Sequence, residues 1–474
     1  MSPTTGTRSG SRPNVLFVVA DQHRHDWLGA GDAPVRTPTL DRLTGEGVAF
    51  ENAVCPAPVC NPARACLATG MEYDRCGVPS NRADLRPDRA SLYHRLRDEA
   101  GYHVMACGKS DLRWPYGHGP GGDELAAAYG FSETVFTPAK GETSLRQMDG
   151  PDPADPYTRF LDGRGLLEEY VDHHRARRES DEPTYQTPLP EDAYYDAFIG
   201  RTGRDLIAEA PGDRPWFLQV NFQDPHGPMQ VTETMSGWYR DPDAEVPDPT
   251  DPDEDADPAV TREWRRNYAA MVEHLDRQLG SFLDLLEERG EREETLIVFC
   301  GDHGEMLGDH GLWGKDVPYQ PSVGVPFVVA GPGVESRGRV ADPATILDLH
   351  ATFHDLAGLD PHVETDSRSM APYLTGEGAA PRDVVYSGLG PWRMAFDGQH
   401  KLILGFDEAE FRRDDLDQRL WRGLHGEVGR WWQSEREPIL YDLADDPGER
   451  QNLAGERPGT VDRLRGDLRR IRDR

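Results

Sequence analysis

Five short apolar runs, four of them ending on polar or charged residues, constrain this 474-residue chain more than any other feature. They read NVLFVVAD (14–21), HVMACGK (103–109), WFLQVNFQD (216–224), TLIVFCGD (295–302) and VPFVVAG (325–331). Near-continuous apolar character over so few residues is what a strand buried on both faces requires. Helical patterns alternate with the runs. The clearest, over 264–289, repeats Tyr268, Met271, Leu275, Leu279, Phe282 and Leu286 at three- and four-residue steps, which makes one apolar face. Strand, helix and strand in alternation indicate an α/β fold: a large central, mostly parallel sheet flanked by helices. Near 375 the pattern changes to short strands (DVVYSG, RMAFDG, HKLILG, PILYDL) and a closing arginine-rich helix. The expectation is a larger α/β domain over 1–375 and a smaller C-terminal α+β domain with an antiparallel sheet over 376–474.

Charge narrows the partners. With 52 basic against 84 acidic side chains the net charge is −32, a field that repels nucleic acid and anionic membranes. Neither is expected to bind, and any anion site must be locally basic. Lysine occurs only at 109, 140, 315 and 401, and Lys109 and Lys315 each follow a glycine (CGK, WGK). The six cysteines form no C-x-x-C pair, and Cys55, Cys60 and Cys66 fit no zinc spacing, so five of the six read as small buried hydrophobes in a reducing cytosol. No apolar run approaches the roughly 20 residues that span a bilayer, and the polar start MSPTTGTRSGSRPN is no secretory signal. A soluble, cytoplasmic protein is expected, with homo-oligomerisation left open. The stretch DPDAEVPDPTDPDEDADP (241–258) reads as a solvated loop; its prolines break calcium-ligand spacing and the required glycine is missing. Residues 142–190 read as acidic and loop-rich, a lid.

In open α/β sheets chemistry gathers beyond the carboxyl ends of the strands. Here those ends read Asp21-Gln22, Lys109-Ser110-Asp111, Asp224-Pro225-His226 and Asp302-His303. Any one of them is most simply a turn or a helix cap. Four on one edge make a site. Asp21, Gln22, Asp302 and His303 offer oxygen and imidazole donors, suited to Ca²⁺ or Mg²⁺, with the imidazole admitting Mn²⁺ or Zn²⁺. Lys109 and Lys315 suit anion recognition by point charge.

With these residues in view, CNPARACLATG (60–70) resembles the sulfatase signature C-x-P-x-R followed by L-x-T-G. PNVLFVVADQ resembles that family's first metal strand, VFCGDHGEMLGDHGLWGK its second metal strand and downstream lysine, DPHGP its internal histidine segment, and YDLADDPGERQNLA its C-terminal strand. The similarity runs in order from about residue 13 to 455. It implies a sulfuric ester hydrolase of the alkaline phosphatase superfamily. By this resemblance a formylglycine-generating enzyme oxidises Cys60 to an aldehyde whose hydrate is the nucleophile. Asp21, Gln22, Asp302, His303 and the modified Cys60 would hold one divalent ion, Ca²⁺ by family resemblance, with Mg²⁺ or Mn²⁺ as alternatives. Arg64 would orient the nucleophile, Lys109 and Lys315 would hold the sulfate oxygens, and His226 would protonate the leaving group.

Two departures mark the branch. Asp-Gln with Asp-His resembles choline sulfatases and phosphonate monoester hydrolases. The usual G-K-x-H segment reads GKSD, so Asp111 stands where a base histidine is expected, with His310 as another occupant of that role. A carboxylate with a reference pKa of about 3.9 is a weak base unless desolvated. The implied substrate is a small-molecule or saccharide sulfate ester. Phosphonate monoester or phosphodiester hydrolysis is the alternative, and anion binding without catalysis, with Cys60 unconverted, is a third reading.

Overall fold

The computed structural model describes residues 12–29, 35–113, 122–140, 153, 155–178, 184–238, 246–360, 364–408 and 436–472. Fourteen strands are found among them: β1 (Asn14–Asp21), β2 (Val48–Val54), β3 (His103–Gly108), β4 (Glu133–Phe136), β5 (Thr184–Gln186), β6 (Trp216–Pro225), β7 (Met229–Val231), β8 (Thr295–Gly301), β9 (Phe327–Ala330), β10 (Gly338–Thr345), β11 (Val385–Leu389), β12 (Trp392–Phe396), β13 (His400–Leu404) and β14 (Ile439–Asp442). Eight form the central sheet in the order β10-β2-β9-β8-β1-β6-β3-β4. All its pairings are parallel except those of β9, which runs antiparallel to both β2 and β8. Strands β2, β4 and β10 are additions to the five expected. β2 carries Glu51 and Asn52, β4 lies at one edge, and β10 at the other edge includes Pro343, so none reads as a buried apolar run.

The period of two along the central strands divides the core. Val15, Phe17 and Val19 of β1 face one apolar cluster, which also holds Ala65 and Cys66 of the helix Cys60–Thr69 and Phe353 of the helix Leu349–Leu356. Leu16, Val18 and Ala20 face a second cluster, with Ile199 and Leu206 of the helix Tyr195–Glu209 and Leu275, Leu279 and Phe282 of the helix Pro258–Arg289. That long helix begins six residues before its apolar repeat, because Pro258 needs no hydrogen-bond acceptor in the first turn and Asp257 accepts from the N–H of Ala259 at 2.8 Å. Residues 246–257 before it are irregular and mostly exposed, while 239–245 lie outside the described residues. The loop-rich expectation for 142–190 is corrected by two helices, Pro156–Gly163 and Leu167–Arg178; residues 142–152, 154 and 179–183 of that stretch lie outside the described residues.

Strands β11 to β14 make a separate antiparallel sheet. One face, with Ala395, Leu402 and Leu440, is covered by Val461, Leu464 and Leu468 of the helix Pro458–Arg472. On the other, Met394, Phe396, Ile403 and Tyr441 join the first central cluster. A buried ion pair reinforces that junction: Lys401 Nζ lies 2.7 Å from Glu449 Oε1 and donates to the carbonyl of Pro318 at 3.2 Å. The other carboxylate oxygen accepts from the N–H of Gln320.

Removing one member of a buried pair leaves an uncompensated charge. Lys401→Met is therefore expected to lower the unfolding free energy by about 3–5 kcal/mol in urea titrations, with most of that loss recovered when Glu449→Gln is added. An unchanged midpoint for the single variant would mean that the pair does not hold the small sheet in place.

Candidate active site

Parallel register brings the strand ends together. Ala20 lies opposite Phe222 of β6 and Gly301 of β8, and Gly108 of β3 opposite Asn221, so Asp21, Lys109, Asp224 and Asp302 emerge at one edge. The approach of β3 to β6 is close: a Cβ on Gly108, whose φ is 84°, would lie 2.0 Å from the carbonyl oxygen of Asn221. Glycine before Lys109 is thus a packing requirement.

The helix Cys60–Thr69 delivers the signature. Cys60 is its first residue, Pro62 sits in the first turn where no N–H bond is lost, and Arg64 follows one turn later on the same face. The helix ends on Gly70 at φ 68°, where a Cβ would lie 2.3 Å from Thr365 Oγ1. All ten helical residues are buried. Cys60 Sγ lies 3.2 Å from His303 Nε2, 3.7 Å from Asp21 Oδ1, 3.6 Å from Lys109 Nζ and 3.3 Å from Lys315 Nζ.

The remaining groups close round it. Arg64 donates from Nε to Asp302 Oδ2 at 2.9 Å and from Nη1 to Asn221 Oδ1 at 3.0 Å, and its Nη2 lies 3.6 Å from Asp21 Oδ2. Lys109 ion-pairs with Asp21 and lies 3.0 Å from Asp111 Oδ2. Gln22 adopts a left-handed backbone (φ 65°), a strained choice for a non-glycine residue, and its N–H then donates to Asp302 Oδ1 at 3.0 Å. The Gln22 amide is oriented at both ends: Nε2 donates to Glu305 and Oε1 accepts from Lys315 at 2.8 Å. His226 is partly exposed beyond β6, its Nδ1 donating to the carbonyl of Gly227 at 2.7 Å.

The donor set fits a divalent ion. One atom each of Asp21, Cys60, Asp302 and His303 lies within 4.8 Å of the others, and all four residues are buried. His303 Nδ1 donates to the carbonyl of Gly304 at 3.0 Å, which turns the Nε2 lone pair inward, 3.6 Å from both Asp21 Oδ1 and Asp302 Oδ1. Ligands bound at about 2.3–2.6 Å stand at such mutual separations.

Electrostatics favour an anion at residue 60. Burial and the Asp21 carboxylate oppose ionisation of Cys60, yet Lys109, Lys315 and His303 bring its thiol down to about 6. Burial likewise opposes charge on Asp21, but Lys109, His226, Lys315 and Arg64 hold its carboxyl well below the usual range. Asp111, 1% exposed, is pushed up to about 6 by burial, with Lys109 and Arg64 pulling against it. Desolvation, and then Lys315, lowers His226 to about 3.

Of the residues singled out in the sequence, Asp21, Gln22, Cys60, Arg64, Lys109, Asp111, Asp302, His303 and Lys315 are brought together in this way. His310 sits elsewhere: its ring stacks on Tyr319 with centroids 4.2 Å apart and lines a cavity of about 360 Å³ with Arg24, Thr250 and Glu449, whose lining includes none of the residues round Cys60. Glu305 and Asn221 were not anticipated. For Asn221 a signal exists: Gln219, Asn221 and Gln223 alternate with apolar residues in a fully buried strand, so three polar side chains face inward and need partners.

Known proteins resemble this chain over most of its length. The arylsulfatase of Clostridium perfringens is 26% identical over 466 residues, spanning 93% of this chain and 90% of the relative. The choline-sulfatase of Rhizobium meliloti is 28% identical, over 95% and 84%. The phosphonate monoester hydrolase of Agrobacterium radiobacter has the same fold, with a TM-score of 0.76 at 23% identity, over 98% of this chain and 96% of that one. The Sulfatase family model matches residues 13–359, and the chain belongs to the sulfatase family.

Proposed function

We propose that this protein is a metal-dependent sulfuric ester hydrolase whose nucleophile derives from Cys60, acting on a small-molecule or saccharide sulfate ester. The observation that carries the reading is the convergence of Asp21, Cys60, Asp302 and His303 between two lysine ammonium groups, within a sulfatase chain. When bound, a divalent ion, Ca²⁺ in this reading, adds Lewis-acid charge beside residue 60, which supplies an oxygen nucleophile once a formylglycine-generating enzyme has converted it. Six unpaired, buried cysteines support maturation in a reducing cytoplasm.

The chain's own residues then divide the work. Lys109 and Lys315 flank the sulfur position and grip the charged sulfate oxygens, holding the group in place while the electron pair of the breaking S–O bond passes to the leaving oxygen. Arg64 aligns residue 60 from one helical turn away and, tied to Asp302 and Asn221, cannot swing out. Asp111 takes the place of the family's base histidine. Burial lifts its carboxyl to about 6, so near neutrality it is ionised and still basic enough to accept a proton. His226 protonates the leaving oxygen from Nε2. Because Nδ1 is engaged with Gly227, Nε2 carries a proton only in the imidazolium form. Burial is the main cause of the low basicity of His226; the ester's negative charge, lodged between Lys109 and Lys315, offsets the share that those lysines add, and the partly exposed ring takes its second proton from solvent.

On metal-loaded, converted protein, kcat/KM for nitrophenyl sulfate is expected to exceed that for a nitrophenyl phosphodiester or phosphonate monoester. The reverse ratio would make phosphonate monoester or phosphodiester hydrolysis the function. Asp111→Asn is expected to reduce kcat at least about 100-fold; an unchanged rate would remove Asp111 from the mechanism.

A further inference from the structure

Lysine is scarce here, and three of the four have evident partners and purposes. Lys109 and Lys315 face residue 60, and Lys401 ties down the small sheet. Lys140 has no such role so far. It is 1% exposed, and a charge taken so far from water is costly unless its surroundings are built for it.

Those surroundings lead to His226. Lys140 Nζ ion-pairs with Asp224 Oδ1 and lies 3.1 Å from the Tyr194 hydroxyl. That hydroxyl is itself 3.0 Å from Asp224 Oδ1 and 2.9 Å from the carbonyl oxygen of Gln230. His274 packs edge-on against Tyr194, its Nδ1 3.9 Å from Asp224 Oδ2. The backbone N–H of Lys140 donates to Gln223 Oε1. Gln223 Nε2 donates to the carbonyl of Gly227 at 3.2 Å, the same oxygen that accepts from His226 Nδ1. Asp196 accepts from the N–H groups of Gln223 (3.0 Å) and Asp224 (2.7 Å), and the N–H of His226 donates to the carbonyl of Gln223 at 2.9 Å. The Lys140 side chain thus holds Asp224, two residues before His226, while its backbone N–H holds Gln223, whose Nε2 binds the oxygen that sets the direction of the imidazole.

Apolar side chains of similar volume often replace a buried ion pair at no cost in stability, so filling space does not account for this one. We propose that the Lys140 side chain, acting through Asp224 at the base of the turn that carries the imidazole, is a positioning residue that aims His226 Nε2 at the leaving-group oxygen. The proposal rests on His226 being the acid.

Leaving-group dependence separates aiming from general damage. Nitrophenolate departs without help, whereas an alkoxide needs a proton. Lys140→Met is expected to lower the ratio of kcat on a simple alkyl sulfate to kcat on nitrophenyl sulfate at least about 10-fold. Because this substitution strands Asp224, Lys140→Met combined with Asp224→Asn, which leaves no unpaired charge, is measured beside it and is expected to show the same selective loss. Equal losses on both substrates, or no loss, would overturn the proposal. His226→Asn on the same two substrates tests the acid separately: without a selective loss there, the acid assignment fails and the role of Lys140 fails with it.

Discussion

Opposed charges packed into a water-poor edge of the sheet set the terms for the rest of this molecule. Arg64, Lys109 and Lys315 face Asp21, Asp111 and Asp302 within a few ångströms of Cys60. Taking such groups out of water is costly for each alone; Arg64 and Lys109 are paired with the carboxylates, and Lys315 is held by the Gln22 amide oxygen. The arrangement also explains how an acidic chain can receive an anion. Its net charge of −32 acts over the whole surface, whereas the cations act at contact distance in a low-dielectric site. Parallel register is what makes this possible, since it ends β1, β3, β6 and β8 at one edge.

Much of this was legible in the residues, for physical reasons. Strands buried on both faces must be apolar, so the runs leading to Asp21, Lys109, His226 and Asp302 stood out, and the polar residues that end them gather at the candidate site. Glycine before Lys109 and proline two residues after Cys60 each answer a local steric demand. What stayed hidden depends on partners distant in sequence. β10 begins with exposed residues and β4 is half-covered, so neither carries a burial pattern. The reversed direction of β9 is a matter of connection, not composition. Glu305 reads as an ordinary acid until it is seen gripping the Gln22 amide, and Lys140 as an ordinary lysine until Asp224 is beside it. His310, the other histidine considered for the base role, has a left-handed backbone (φ 55°), stacks on Tyr319 and lines a cavity that none of the residues round Cys60 lines.

In the proposed mechanism, Asp111 in place of a base histidine illustrates how environment substitutes for chemistry. An exposed aspartate is too acidic for that role, but this one is buried in a left-handed turn (φ 50°) after β3 and close to Lys109. Burial raises its basicity while the ammonium stops it from becoming permanently protonated. The same balance operates at residue 60, where cations overcome burial and favour the charged form. Both groups are tuned by the same lysine.

The central claim is that an oxidised residue 60, not a thiol, does the chemistry. The direct measurement is the rate of nitrophenyl sulfate hydrolysis in metal-loaded preparations co-expressed with graded amounts of converting enzyme, plotted against the converted fraction read by intact mass. A straight line through the origin is expected. Activity that does not track conversion, or fully converted protein that is inert towards every sulfo and phospho ester offered, would contradict it.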